Sequence, residues 1–298
     1  MINNNFKKKL DEKKFVFTAE TSPPDSADQN DVLKRVLCLK DIADAVNVTD
    51  GASAKSHLSS LVVSAILANN GIDPILQLTT RDRNRIAIQS DLLGGWALNI
   101  RNILCIFGDQ VTSGDQPDAK EVRDLDSLGI IQTANQFKNE KVFPSGRKIQ
   151  SAPEYFIGAA DAPFKIDDNF DCKTLLSKIS AGANFFQTQF AFDFDILSNY
   201  MTRLNHFGVT DKAYYLVGLG VIKSAKSAVW MNKNLFGVNI PENIIKRLED
   251  SNDEEQEGIN ICIELVQKYQ EIQGVHGVHL MGYHQEEQIA KVISELKK

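Results

Sequence analysis

Apolar residues along this 298-residue chain gather into eight short runs, and helical periodicity occupies the segments between most of them. The clearest pair is Pro74–Leu78 and Ile103–Phe107, which flank a polar segment with helical spacing. Such runs of about five apolar residues around a helix mark a βαβ unit with a buried parallel sheet. Each run stops abruptly, the first in Thr79-Thr80-Arg81-Asp82 and the second in Gly108-Asp109. Phe15–Ala19 runs into Glu20-Thr21-Ser22-Pro23-Pro24, where the prolines force an exit from the sheet. Ala45–Val48 ends in Thr49-Asp50-Gly51, and Tyr155–Ile157 in Gly158-Ala159-Ala160. Asn184–Phe190 carries Gln187 and Gln189; Tyr214–Val217 ends in Gly218-Leu219-Gly220, and Val278–Met281 is the eighth run.

Helices are expected with Val32, Val36, Leu39 and Ala43 on one face, over Ala54–Asn69, after a cap at Asp82, and over Leu125–Phe137. Others run from a cap at Asp171 to Ala181, from Asp193 or Asp195 to a stop at Gly208, twice after Pro241, and finally to Leu296. Eight strands with one consistent polar edge predict an α/β fold, a single-domain (β/α)8 TIM barrel over residues 15–298 with a solvated lead-in over 1–14. An open doubly wound sheet is the alternative, but no GxGxxG turn follows the first strand. GxxxxGK[ST] and GxSxG are absent too.

Composition narrows the function. Hydrophobic content of 43% and charged content of 24% are ordinary for a globular protein, and the net charge of −6 weighs against nucleic-acid or anionic-membrane partners. Lys7–Lys9, Lys13 and Lys14 are interrupted by Asp11 and Glu12, and no apolar signal segment follows. The longest apolar stretch, Leu61–Ala68, is far too short to span a bilayer, so a cytoplasmic protein is expected. Four widely spaced cysteines form no CxxC pair and read as reduced thiols. His276, His279 and His284 cluster in sequence, but a strand points the first two to opposite faces, so no metal site is expected.

Four strand-end residues are candidates for chemistry: Glu20, Thr49, Asp109 and Gln189. A carboxylate just past a strand lies at the carboxyl edge, where α/β folds place their reactions. An amide and a carboxylate converging there suit a heterocycle with adjacent donor and acceptor, such as a pterin or purine. A buried Glu20 can serve as a general acid. The polar loop QVTSGDQPDAKE after Asp109 is long enough to cover a ligand.

The motifs TAETSPP, NVTDGA, LTTRDRNRIAIQSDLLGGWALNIRNILCIFGD and KISAGANFFQTQFAFD make the chain resemble the methylenetetrahydrofolate reductase family from about Phe15 to Leu296. The resemblance implies a barrel that holds FAD and reduces 5,10-methylenetetrahydrofolate to 5-methyltetrahydrofolate in one-carbon and methionine metabolism. It makes Glu20 the acid that protonates the folate, Asp109 the carboxylate between pterin and flavin, and Gln189 the amide that holds the folate. Thr49 and Lys178 match flavin contacts, Lys178 at the pyrophosphate. Asp50, Gln77, Gly108, Gly158 and Ala159 complete the expected cofactor set, and Gln285 stands where an arginine can engage the folate tail.

Several positions depart from the family pattern. Gln77 replaces a histidine, Phe107 an arginine, Gly158 a tyrosine and Ala162 a histidine, which removes expected FAD contacts. Ala225 stands where some relatives stack an aromatic ring on NADH. The expected electron donor is therefore NAD(P)H or a protein such as ferredoxin or a companion subunit. A homo-oligomer without the C-terminal regulatory domain of longer relatives is expected. The rival from another class is a non-catalytic folate- or flavin-binding subunit that acts only with an electron-transfer partner.

Overall fold

The computed structural model describes residues 4–167 and 169–298. Its elements are α1 (Asn5–Asp11), β1 (Val16–Thr21), α2 (Gln29–Val36), β2 (Ala45–Val48), α3 (Ser60–Asn69), β3 (Pro74–Thr79), α4 (Arg85–Ala97), β4 (Asn102–Ile106), α5 (Ser127–Glu140) and β5 (Phe156–Asp161). There follow α6 (Lys173–Ala181), β6 (Phe185–Phe190), α7 (Phe194–His206), β7 (Tyr214–Leu219), α8 (Ala225–Asn234), α9 (Glu242–Glu249), α10 (Glu254–Gln270), β8 (Gly277–Leu280) and α11 (Glu286–Leu296). The strands close a parallel barrel in chain order, and β8 returns to β1 with Thr18 opposite His279. This is the expected (β/α)8 barrel. Among the described residues no helix is long and apolar enough to cross a membrane.

Strand alternation sorts the apolar residues into two layers. Outward residues such as Val46, Leu76, Leu78, Ile103, Ile157 and Phe186 join the core under the helices. Inward residues Val16, Ala45, Ile75, Leu104, Phe156, Phe185 and Leu216 fill the floor of the lumen.

That floor corrects the expectation of a solvated lead-in; Met1–Asn3 lie outside the described residues. Helix α1 buries Phe6 and Leu10 completely, four residues apart on one face, while Lys7–Lys9 occupy the rest of the turn. The Phe6 ring meets Phe156 at 5.6 Å and Phe185 at 5.3 Å, both edge-on. Asn4 Nδ2 donates to Asn102 Oδ1 (2.6 Å), and the Phe6 N–H donates to Asp73 Oδ2 (3.2 Å). Helix α1 is thus a plug in the amino-terminal end of the barrel.

Burial raises the Asp73 carboxyl to about 6, against hydrogen bonds from Phe6 and Asn102 that pull it down. A carboxyl whose folded pKa lies above its unfolded value of 3.8 favours the folded state most below that value. That contribution fades as pH rises through about 6. Between about pH 4.5 and about pH 7.5, wild type should lose about 2 kcal/mol relative to Asp73→Asn. Urea denaturation of both proteins at the two pH values measures it; parallel pH profiles would refute it.

Smaller differences lie between the strands. Helix α3 starts at Ser60, not Ala54, because Ser53 and Ala54 take positive φ values of 55° and 53° in a tight turn. Asn84, not Asp82, caps α4, since Arg81 engages the Asp82 carboxylate from its Nε and Nη2. Helix α8, between β7 and Pro241, has no counterpart among the expected helices.

Candidate functional site

Inward alternation continues upward from the floor. Above Val16 on β1 come Thr18 and Glu20, above Ala45 on β2 come Asn47 and Thr49, and above Ile75 on β3 comes Gln77. On β6 Gln187 follows Phe185, with a register irregularity before Phe190, and on β8 His279 follows Gly277. Bonds across the lumen confirm the placement. Gln187 pairs amide to amide with Asn47 on the opposite stave, at 2.7 and 3.0 Å, and donates to Thr18 Oγ1 at 3.1 Å. The Thr18 hydroxyl lies 3.1 Å from His279 Nδ1. His279 Nε2 sits 3.6 Å from Glu20 Oε2, which also accepts from Gln77 Nε2 at 3.3 Å.

A polar layer therefore separates the apolar floor from the mouth, and Glu20 caps it. The Thr18 hydroxyl accepts from Gln187 and can donate either to the Val278 carbonyl at 3.3 Å or to His279 Nδ1, so both neutral tautomers of His279 fit this layer. His279 was missed in the sequence, where the histidines were weighed only as metal ligands. Its signal was there: it lies on the inward face of a strand, in register with Thr18, two residues below Glu20. His276 serves elsewhere, its Nδ1 accepting the Tyr215 N–H at 3.1 Å.

At the β2 exit, Thr49 is buried, and its Oγ1 has no hydrogen-bond partner. Asp50 is fully engaged by the protein. Its carboxylate accepts from Ser60 Oγ, from the Thr79 N–H and hydroxyl, and from both terminal nitrogens of Arg83. The expected direct contact of Asp50 with a cofactor has no oxygen left to make it, so Asp50 organises the site from behind. Gly51, at φ 59°, brings its carbonyl under Arg81, which donates to it at 3.2 Å.

At the β4 exit, Gly108 turns at φ 82°, and a side chain there would press on Thr79. The turn delivers Asp109 to solvent at the edge, where its Oδ2 accepts the Ser53 N–H at 3.0 Å. Strand β5 runs further than expected, to Asp161, and this relocates two candidates. Gly158 lies inside the barrel where a Cβ would strike the Phe185 ring, and Ala159 points out into the helix-covered core. Neither presents a face to the mouth. Lys178 on α6 does reach the edge, donating from Nζ to the Ala160 carbonyl at 2.7 Å. Burial lowers its pKa, with Asp161 acting in the opposite sense.

Gln189 is half-buried, and its Oε1 accepts the Phe190 N–H at 3.0 Å. Gln285, after β8, holds a buried Oε1 without a partner. Two candidate residues at the carboxyl edge, Thr49 and Gln285, thus carry unsatisfied buried oxygens, which a bound polar ligand would satisfy. The group implied by the resemblance fits this edge. A cavity of about 950 Å³ opens beside β6, lined by Phe164, Phe190, Phe192, Asp193 and Asn239 among others, and it does not include Glu20.

The family model described as methylenetetrahydrofolate reductase matches residues 5–297. The "probable methylenetetrahydrofolate reductase (NADPH)" of Caenorhabditis elegans is 25% identical over 309 residues, covering 99% of this chain and 44% of its own length. "Methylenetetrahydrofolate reductase 1" of Schizosaccharomyces pombe is 24% identical over 260 residues, 84% of this chain and 40% of its own. The chain spans less than half the length of these relatives. Among solved structures, an uncharacterized Clostridium thermocellum protein that binds two copies of 5-methyl-5,6,7,8-tetrahydrofolic acid superposes with a TM-score of 0.69. It is 12% identical, and the match covers 98% of this chain and 99% of that one. A long-chain alkane monooxygenase follows the same fold at a TM-score of 0.55, 11% identity, 95% of this chain and 91% of its own.

Proposed function

The chain belongs to the methylenetetrahydrofolate reductase family, and on that premise we propose that it reduces 5,10-methylenetetrahydrofolate to 5-methyltetrahydrofolate with FAD. The carrying observation is the convergence of Glu20, Gln77 and His279 at the head of the polar layer. The flavin, when bound, supplies the hydride. Everything else falls to the side chains.

The five-membered ring of the substrate carries one carbon between two nitrogens. Glu20 gives its proton to one of these nitrogens, the carbon–nitrogen bond breaks, and an iminium forms on the other. Gln77 donates to one Glu20 oxygen and His279 stands beside it, so the carboxyl is held toward the mouth. The amide pair below keeps Thr18 and His279 fixed and excludes water from the lumen. Gln189 and Asp109 offer an amide and a carboxylate to the pterin edge. Thr49 is the hydroxyl for the flavin, Lys178 the cation for its phosphates, and Gln285 an amide for the folate tail.

A flavin-loaded, pre-reduced protein should reoxidise on mixing with methylenetetrahydrofolate, at a rate matching overall turnover. Folate binding without reoxidation would instead identify a binding subunit. The same stopped-flow measurement separates donors. Ala225 is buried and offers no ring for a nicotinamide to stack on. This favours a protein donor such as reduced ferredoxin. Saturable bleaching by micromolar NADH or NADPH at the turnover rate would overturn that part.

A further inference from the structure

The loop after β4 returns to the β3 exit and ends there in a strap over residues 121–124. The Val122 N–H donates to the Arg81 carbonyl at 2.7 Å and the Arg123 N–H to the Thr80 carbonyl at 3.2 Å, so the strap lies along the β3 exit. From there Arg123 reaches across to the β4 exit. Its guanidinium donates to the carbonyls of Phe107 (2.9 Å), Gly108 (3.4 Å) and Asp109 (3.3 Å), three consecutive residues. It also lies 3.8 Å from the centre of the Phe107 ring. Glu121 grips the same guanidinium at 2.5 and 3.0 Å and accepts the Val111 N–H at 3.0 Å, closing the loop on itself.

We infer that Arg123 is a positioning residue that fixes the Asp109 turn and so sets where that carboxylate meets a bound ring. The inference rests on the reading of Asp109 given above. All the bonds of this guanidinium go to backbone carbonyls and to Glu121, so it acts on the protein and not on a ligand. Its backbone supports the same role. Arg123 takes a φ of 40°, a region uncommon for residues with side chains, and the surrounding bonds hold it there. Asp109 is then anchored at its carbonyl by Arg123 and, at 3.4 Å, by Arg81, and at its carboxylate by the Ser53 N–H; of the two cations only Arg123 also holds the Phe107 and Gly108 carbonyls. The Glu121 carboxyl is held down at about 2, first by its hydrogen bond from Arg123, so the grip persists at every working pH.

Phe107 is one of the departures from the family pattern, where an arginine is usual. The structure returns a guanidinium to that spot from another segment, but turned toward the backbone. A lysine could not replace it, since an ammonium lacks the planar fork that spans several carbonyls while stacking on a ring.

The test is a double-mutant cycle on the flavin-loaded protein, reading the KM for methylenetetrahydrofolate, kcat, and the flavin midpoint potential. Asp109→Asn alone should raise KM and move the potential upward. Arg123→Ala should move both in the same directions, KM by about 3–30-fold and kcat by less, and Arg123→Lys should not restore them. In the Asp109→Asn background, Arg123→Ala should add less than about 2-fold, because the group it positions is already neutral. Equal losses in both backgrounds would overturn the inference, as would a folded Arg123→Ala protein with unchanged KM and potential. If Arg123→Ala fails to fold, Glu121→Gln loosens the same grip and should shift KM in the same direction; no shift overturns the inference. A silent Asp109→Asn would instead remove the reading of Asp109 and the positioning role together.

Discussion

Glu20→Gln should slow folate reduction by about 10²–10⁴ while leaving reduction of the bound flavin by its donor nearly unchanged. The substitution is nearly isosteric, and the new amide oxygen can still accept from Gln77 Nε2, now 3.3 Å from the carboxylate. What is lost is the proton that opens the five-membered ring. Flavin reduction needs no such proton from Glu20, so the two half-reactions should separate. Stopped-flow measurement of each half-reaction decides it. Equal slowing in both would mean that Glu20 shapes the flavin site and does not deliver the proton.

The barrel could be read from the chain because buried parallel strands are written as short apolar runs that stop abruptly. All eight runs became strands, most within one or two residues of their expected ends. Tyr155–Ile157 was the exception. Gly158, Ala159 and Ala160 look like a turn in sequence, whereas β5 continues through them to Asp161. Gly158 and Ala159, cofactor contacts by the resemblance, therefore lie within the strand and not beyond it. Glu20, Thr49 and Gln189 are expected at strand ends, and each lies at or next to the end of β1, β2 or β6, since each sits at the end of a run. His279 needed one further step, counting the period of two down β8 and asking which stave it faces. The plug was hidden for a different reason. Five lysines dominate residues 7–14, and the two apolar residues that matter, Phe6 and Leu10, show their common face only once a helix is assumed.

Asp50 illustrates what the sequence could not carry at all. A Thr-Asp-Gly turn at a strand end looks the same whether its carboxylate meets a ligand or the protein, and the difference lies in Arg83, far along the chain. Asp50→Ala should destabilise the fold by about 3–5 kcal/mol, the cost of removing one partner from a buried ion pair. Asp50 and Arg83 are both mostly buried, and Arg83 would keep only Asp91, 2.8 Å from its Nε. The Thr79 N–H and hydroxyl would lose their acceptor at the same time, and the Ser60 hydroxyl would keep only the Gln77 carbonyl at 3.4 Å. Urea denaturation measures the loss. Adding Arg83→Met to Asp50→Ala should recover part of it, because the stranded charge then leaves with its partner. The flavin supplies a second readout. If Asp50 works only from behind, Asp50→Asn should keep FAD affinity close to wild type wherever the fold survives, since the amide oxygen still accepts from the Thr79 N–H and hydroxyl and the Ser60 hydroxyl can turn to accept from the new NH2. A large loss of FAD affinity in a well-folded Asp50→Asn protein would show that the carboxylate reaches the cofactor itself.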